Sequence, residues 1–252
     1  RLGNVREGRE LYLRAYSLAE RVDVPFYKLF DLYLLAQYYL YMGQYEDAAS
    51  TARKALTMCE PGTSLYGGFL SVIATIQVER YELAQAEETL ADALRCVSAS
   101  VNADMFLDVQ LTVARLERVR GNRIEAFEIA CEMVDSIEGK RIPRNMDRRT
   151  YALKMALGVE LDEMSAVRSC EQAIDEFLDD PDVFRQVSCI FAKVRILWHL
   201  GFHDESFALL DKAEAVITAC GSMYFATQLS IMRASFFGES DDEARAMVEL
   251  NT

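Results

Sequence analysis

His199 and His203 flank the segment HLGFH, four residues apart, the spacing at which two imidazoles on one helix face can share a zinc ion. Gly201 lies between them, and a glycine there ends one helix before the next begins, so the two rings fall on different helices. No third ligand stands near in sequence. Carboxylates gather at Asp179, Asp180 and Asp182 and again at Glu239, Asp241, Asp242 and Glu243. Each cluster falls at a loop or at the start of a helical pattern, where acidic side chains cap free N–H groups and complement the helix dipole. No phosphate-binding loop, GxSxG elbow or dinucleotide glycine fingerprint occurs. The sequence therefore predicts no catalytic residue, no metal site and no cofactor. Six cysteines (Cys59, Cys96, Cys131, Cys170, Cys189 and Cys220) are scattered singly, without a CxxC pair, and are expected as buried reduced thiols. Lys140, Arg141, Arg144, Arg148 and Arg149 form one basic cluster, either a solvated connector or a hold for an anionic partner. What remains is recognition chemistry, carried by aromatic, Arg and Gln side chains.

The elements that must position those side chains are helices. Of 252 residues, 51% are hydrophobic, and only four prolines and twelve glycines interrupt them, too few for an all-β chain. Net charge is −13, the reverse of the basic footprint that phosphate backbones require, so no direct contact with nucleic acid is expected. The longest apolar run, 69–78, is too short to span a bilayer, and no signal peptide opens the chain. With the cysteine usage, this points to the cytoplasm and away from membranes. Arg1 is not a natural start, and the segment is expected to be one domain, 1–252, cut from a longer polypeptide.

Residues 32–61 read as two amphipathic helices joined at Met42-Gly43-Gln44-Tyr45. Gly43 suits the left-handed residue that ends a helix, and Ala48, Ala52 and Ala55 make a smooth stripe for a close neighbour. The same turn is expected at Gly3, Glu79, Gly121, Leu161, Gly201 and Gly238, at intervals of 40, 36, 42, 40, 40 and 37 residues. Pro25, Pro61, Pro143 and Pro181 each lie 18 or 20 residues before a proposed turn, where they mark the start of a first helix. Helix pairs follow at 25–42 with 45–59, 64–79 with 81–98, 102–120 with 122–138, 145–159 with 162–178 and 182–200 with 203–220. A lone helix precedes them at 4–22, and 222–237 leads into 240–250. The fold class is all-α.

Gly43, Tyr45, Ala48, Ala52, Ala55, Leu56 and Pro61 resemble the tetratricopeptide repeat (TPR) pattern. Repeats near 40 residues are similar to the MalT-type TPR arrays of bacterial LuxR-family activators and STAND-class ATPases. The resemblance implies a right-handed α-solenoid of antiparallel helix pairs whose first helices line a concave groove. Residues 2, 6 and 10 before each turn then face that groove. Tyr33, Gln37 and Tyr41 come from the first pair, and Phe69, Ile73 and Gln77 from the second. Leu111, Arg115 and Val119 follow, then Tyr151, Met155 and Val159. Phe191, Arg195 and His199, and finally Gln228, Met232 and Phe236, complete the set, with Arg118 and Trp198 close by. For any one ring, packing between repeats is the competing explanation; Gln37, Gln77, Arg115 and Arg195 are poor packing material.

The expected partner is a protein, a peptide or a small-molecule inducer in the groove. One implied function is the sensor domain of a LuxR/STAND-type transcriptional regulator. The other is a protein–protein interaction scaffold with no inducer role. Neither is an enzyme.

Overall fold

The computed structural model describes residues 5–22, 24–98, 102–137, 147–180, 182–239 and 243–250, and among them every regular element is a helix. The first is α1 (Val5–Val22), followed by the pair α2 (Pro25–Tyr41) and α3 (Tyr45–Leu56). Next come α4 (Ser64–Glu79) with α5 (Leu83–Cys96), and α6 (Ala103–Arg120) with α7 (Arg123–Ile137). Then follow α8 (Asp147–Glu160) with α9 (Met164–Asp175), and α10 (Val183–His199) with α11 (His203–Cys220). α12 (Met223–Glu239) and α13 (Glu243–Leu250) close the series. Each helix packs on its partner, and α2, α4, α6, α8 and α10 also pack on one another in succession. The chain is an all-α, TPR-like solenoid. Among the described residues no helix is long and apolar enough to cross a membrane.

One turn geometry joins five of the pairs. Gly43, Tyr81, Gly121, Asp162 and Gly201 all have φ between +60° and +90°. The amide of each bonds the carbonyl three residues back at 3.0–3.3 Å, and the next amide bonds the carbonyl five residues back at 2.8–2.9 Å. These are the two bonds of a Schellman ending, which satisfy carbonyls that a bare helix end would leave open. The turn residues are 38, 40, 41 and 39 residues apart. Two expectations are corrected here. The turn placed at Glu79 centres on Tyr81, and the one placed at Leu161 centres on Asp162. An exposed tyrosine is an unusual occupant of a left-handed position, so Tyr81 resembled the aromatic that opens a second helix, whereas Leu83 fills that place. Gly238 lies inside α12, and the residues after Glu239 that would form its turn, like Gly3, lie outside the described residues. Pro25 opens α2 and Pro61 precedes α4, whereas Pro143 and Pro181 also lie outside them.

Second helices pack through small residues at fixed distances after the turn. Ala48, Ala86, Ala126, Val167 and Ser206, each five residues on, are at most 1% exposed. Ala52, Leu90, Ala130 and Leu210 continue the stripe one turn later, and Cys170 takes that role in α9. Burying each Leu or Val of this kind contributes about 1.5–3 kcal/mol. All six cysteines are free thiols; Cys59, Cys170, Cys189 and Cys220 are buried.

The corrected register moves the inward-facing positions of two helices. In α4 the residues 2, 6 and 10 before the turn are Glu79, Thr75 and Ser71, and in α8 they are Glu160, Ala156 and Ala152. Phe69 and Met155, expected in the groove, are fully buried between helices. An open groove is also not what forms. α12 returns to α2, so the inner helices close into a ring. At this seam the Ser222 hydroxyl donates to the Tyr41 carbonyl at 2.6 Å, and a Cβ on Gly43 would stand 3.1 Å from Met223 Cβ and Tyr224 N. Gly43 is thus fixed twice, by its φ of +75° and by the approach of α12.

Tyr81→Gly should stabilise the protein by about 1 kcal/mol in urea denaturation, because the left-handed strain is relieved and an exposed ring is lost. A loss of stability would show that the Tyr81 ring holds the turn. Ala52→Leu should cost about 1–3 kcal/mol by overpacking a fully buried site. A change below about 0.5 kcal/mol would mean that the stripe yields freely.

Candidate functional site

The inner helices line a channel with two cavities, both open to the surface. The wider, about 210 Å³, lies between Tyr33, Gln37, Asp108 and Phe184, and the narrower, about 140 Å³, lies between Arg115, Arg118, Phe191 and Arg195. Tyr41 and Arg149 border both, and the Arg149 guanidinium donates to the Tyr41 hydroxyl, making a waist between them. Tyr41 reaches this position from the last turn of α2, two residues before Gly43, where the helix end meets α12. Its ring stacks on Phe184 at 4.9 Å and faces Phe225 at 6.4 Å, so three helices contribute to one aromatic wall.

A polar network organises the wider cavity. Arg149 also donates to Asp108, the Tyr33 hydroxyl donates to the same carboxylate, and Gln37 donates to that hydroxyl at 2.9 Å. Burial first, then the neighbouring Asp108 charge, pushes the Tyr33 phenol well above its usual value, so it stays a donor. Burial works against the Arg149 guanidinium, but Asp108 and the hydroxyls of Tyr41 and Tyr33 outweigh it, and its pKa rises. Gly68 makes room for this arrangement: a Cβ there would come within 3.0 Å of the Tyr33 ring and 2.6 Å of Met105 Sδ. Behind Asp108, the hydroxyls of Ser71, Thr75 and Thr112 bond one another at 3.0–3.1 Å and tie α4 to α6.

The narrower cavity is walled by guanidinium groups. Arg118 donates twice to Glu160, and Arg195 stands 3.8 Å from the same carboxylate. Burial, and then repulsion from Arg118, lowers the pKa of Arg195. Arg115 has no hydrogen-bond or ion-pair partner among the described residues. Tyr224, then Tyr41 and Glu79, raise its pKa against the effect of burial. Burial raises the pKa of Tyr224 itself, so that phenol is neutral at pH 7 and brings no charge to Arg115. Glu79, at the end of α4, is the remaining acidic neighbour; burial pushes its carboxyl up while Arg115 pulls it down.

The structure brings most of the expected groove residues together. Tyr41, Arg115, Arg118, Phe191, Arg195 and Gln228 border the narrower cavity, and Tyr33 and Gln37 the wider one. Five others lie elsewhere. Phe69 is in the core, edge-on to Tyr33 at 5.8 Å. Gln77 matches Gly158 in register, a position where a side chain would meet Val167 of its own pair, and its Oε1 is buried without a partner among the described residues. Tyr151 packs into the cluster around Met155 and Ile174. Trp198 lies flat on Phe236 at 4.0 Å and on His203 at 4.1 Å, with its N–H donated to Glu239. His199 pairs with Asp162 at 3.2 Å. Sequence reasoning missed Asp108, Glu160 and Tyr224. It left Arg149 in a basic connector cluster, whereas Arg149 is inside the channel. Lys140, Arg141 and Arg144 lie outside the described residues. The corrected register alone would have found Glu160. Asp108, inside the apolar run of α6, was the visible anomaly.

Asp108→Ala should destabilise the protein by about 3 kcal/mol or more, since it strands the Arg149 charge inside the channel. Asp92→Ala, which removes the exposed partner of Arg95, should cost less than about 1 kcal/mol. Equal costs in urea denaturation would show that Arg149 finds another counter-charge.

A family model described as tetratricopeptide repeat matches residues 1–60, the span holding α1, α2 and α3 with the turn at Gly43. No curated protein was found to match the chain. Four later pairs repeat the turn of the matched span, so the chain is a TPR-like repeat array, a type of fold that works as an interaction module.

Proposed function

We propose that this array is the sensor part of a LuxR- or STAND-type bacterial transcriptional regulator, and that a small ligand in the channel is what it senses. It acts as one unit and performs no chemistry of its own. The observation that carries this reading is the seam between α2 and α12. With the seam shut, the narrower cavity holds about 140 Å³, well below the roughly 300–1,000 Å³ of pockets for drug-sized molecules. A helix is about 10–12 Å across and cannot enter. The channel therefore suits a small solute better than a peptide. The seam is also narrow, one side-chain hydrogen bond, the stacking of Tyr41 against Phe225 and the close approach of Gly43, so a ligand bridging it can shift an open–closed balance.

The scaffold reading draws support from another region. Leu11, Leu18, Phe26 and Tyr27 on α1 and α2 are each 56–60% exposed, and Phe26 stacks on Phe30. Such a surface suits a protein partner.

Two variants separate these readings. Gly43→Leu and Gly121→Leu carry the same left-handed penalty, but only the first collides with α12. In a thermal-shift screen of small solutes, a hit on the unmutated chain should persist in Gly121→Leu and disappear in Gly43→Leu. A chain that answers to no solute, yet captures peptides in a way that Phe26→Asp abolishes, would decide for the scaffold. A nucleotide-binding domain and a helix-turn-helix encoded on either side would support the regulator.

A further inference from the structure

The chain carries a net charge of −13, yet four guanidinium groups (Arg115, Arg118, Arg149 and Arg195) border one cavity of about 140 Å³. No carboxylate among the described residues lines it. Two of the four are already satisfied: Arg149 by Asp108 and Arg118 by Glu160. The third, Arg195, has only the shared Glu160 at 3.8 Å, too long for a hydrogen bond. The fourth, Arg115, has no hydrogen-bond or ion-pair partner among the described residues, with Glu79 acting on it only from beyond ion-pair reach, although it offers five N–H donors. Buried charge is ordinarily paired, so an unpaired guanidinium facing a cavity marks a place where the counter-charge comes from outside.

On the reading that the channel holds a small ligand, we propose that this ligand is an oxyanion, a carboxylate or a phosphate, bound by Arg115 with Arg195 beside it. The planar fork of Arg115 matches two oxygens of either group. Tyr41, Tyr224 and Gln228 border the same space and can fix the rest of the molecule by hydrogen bonds. Phe191 and Phe225 wall it with apolar rings, which lowers the local dielectric and strengthens each charge contact. The lowered pKa of Arg195 is consistent with this, because burial and the neighbouring Arg118 leave positive potential that an anion would relieve. At about 140 Å³, well under the roughly 300–1,000 Å³ of drug-sized pockets, the cavity suits an inorganic phosphate or a short dicarboxylate better than a nucleotide. The arginines sit on three inner helices, α6, α8 and α10, whose packing holds them in place before the ligand arrives.

The test is calorimetric titration of the chain with inorganic phosphate and, separately, with malonate, at ionic strength held constant with chloride. One of the two should bind with a single site, which also tells phosphate from carboxylate. Arg115→Gln should weaken that binding about tenfold or more, whereas Arg95→Gln, an exposed surface change, should leave it unaltered. Because Arg115→Gln could impair folding, the unmutated chain is also treated with phenylglyoxal and Arg115 modification followed by mass spectrometry. The binding anion should slow that modification, and chloride should not. Binding of neither anion, or unchanged modification of Arg115, overturns the proposal. A neutral solute that binds the channel equally well in Arg115→Gln overturns the oxyanion and leaves the small-ligand reading standing. Loss of the small-ligand reading would show instead as indifference of every solute to Gly43→Leu.

Discussion

At residues 43, 81, 121, 162 and 201 the backbone turns left-handed, and the following amide reaches back five residues to a carbonyl of the helix just ended. That bond fixes how the second helix leaves the first. Positions are then set on both sides of it. Several residues 6 and 10 before the turn, such as Tyr33, Gln37, Arg115, Phe191 and Arg195, border the channel, while those about 5, 9 and 12 after it are buried against neighbouring helices. Because the geometry repeats almost without variation, side chains far apart in sequence arrive at one place. Tyr41 and Arg149 meet across 108 residues for this reason.

The interior so created carries a connected set of polar side chains. Asp108 takes hydrogen bonds from Tyr33 and Arg149, and hydroxyls of Ser71, Thr75 and Thr112 line up behind it. Such a network does little for net stability, since taking charges out of water costs about what their pairing returns. What it does supply is register. A shift of α6 against α8 would strand both a carboxylate and a guanidinium, so competing alignments of the inner helices are disfavoured. The second helices need no such device, because small side chains such as Ala52 and Ala130 set their spacing by contact alone.

Closure of the ring couples the two ends of the array. α2 and α12 belong to the first and last units, and among the described residues they meet around Tyr41, Gly43, Ser222 and Phe225. Small changes in the angle between successive pairs add along the solenoid and are felt in full at this seam. Tyr41 also borders both cavities and its seam partner Phe225 the narrower one, so occupancy of the channel and closure of the ring share these contacts.

Helix boundaries, the pairing of helices and the alanine stripes were legible in the sequence, because each rests on local chemistry: glycine at a left-handed turn, proline at a helix start, small residues at helical spacing. Gly43, Gly121 and Gly201 announced themselves. Tyr81 and Asp162 did not, since neither has the one property, a missing side chain, by which such turns are found; the resulting slips of two residues and one put Phe69 and Tyr151 in place of Ser71 and Ala152. About half of the channel residues were found, mostly those on α2, α6 and α10, whose turns are marked by glycine. Partnership was decided only by tertiary structure. Nothing local distinguishes Arg149 from the basic residues before it, nor Arg115, which has no partner among the described residues, from Arg118, which has one. Pairing of charges and closure of the ring depend on the accumulated angle of all the helix pairs, a quantity to which every interface contributes and which no single stretch of sequence contains.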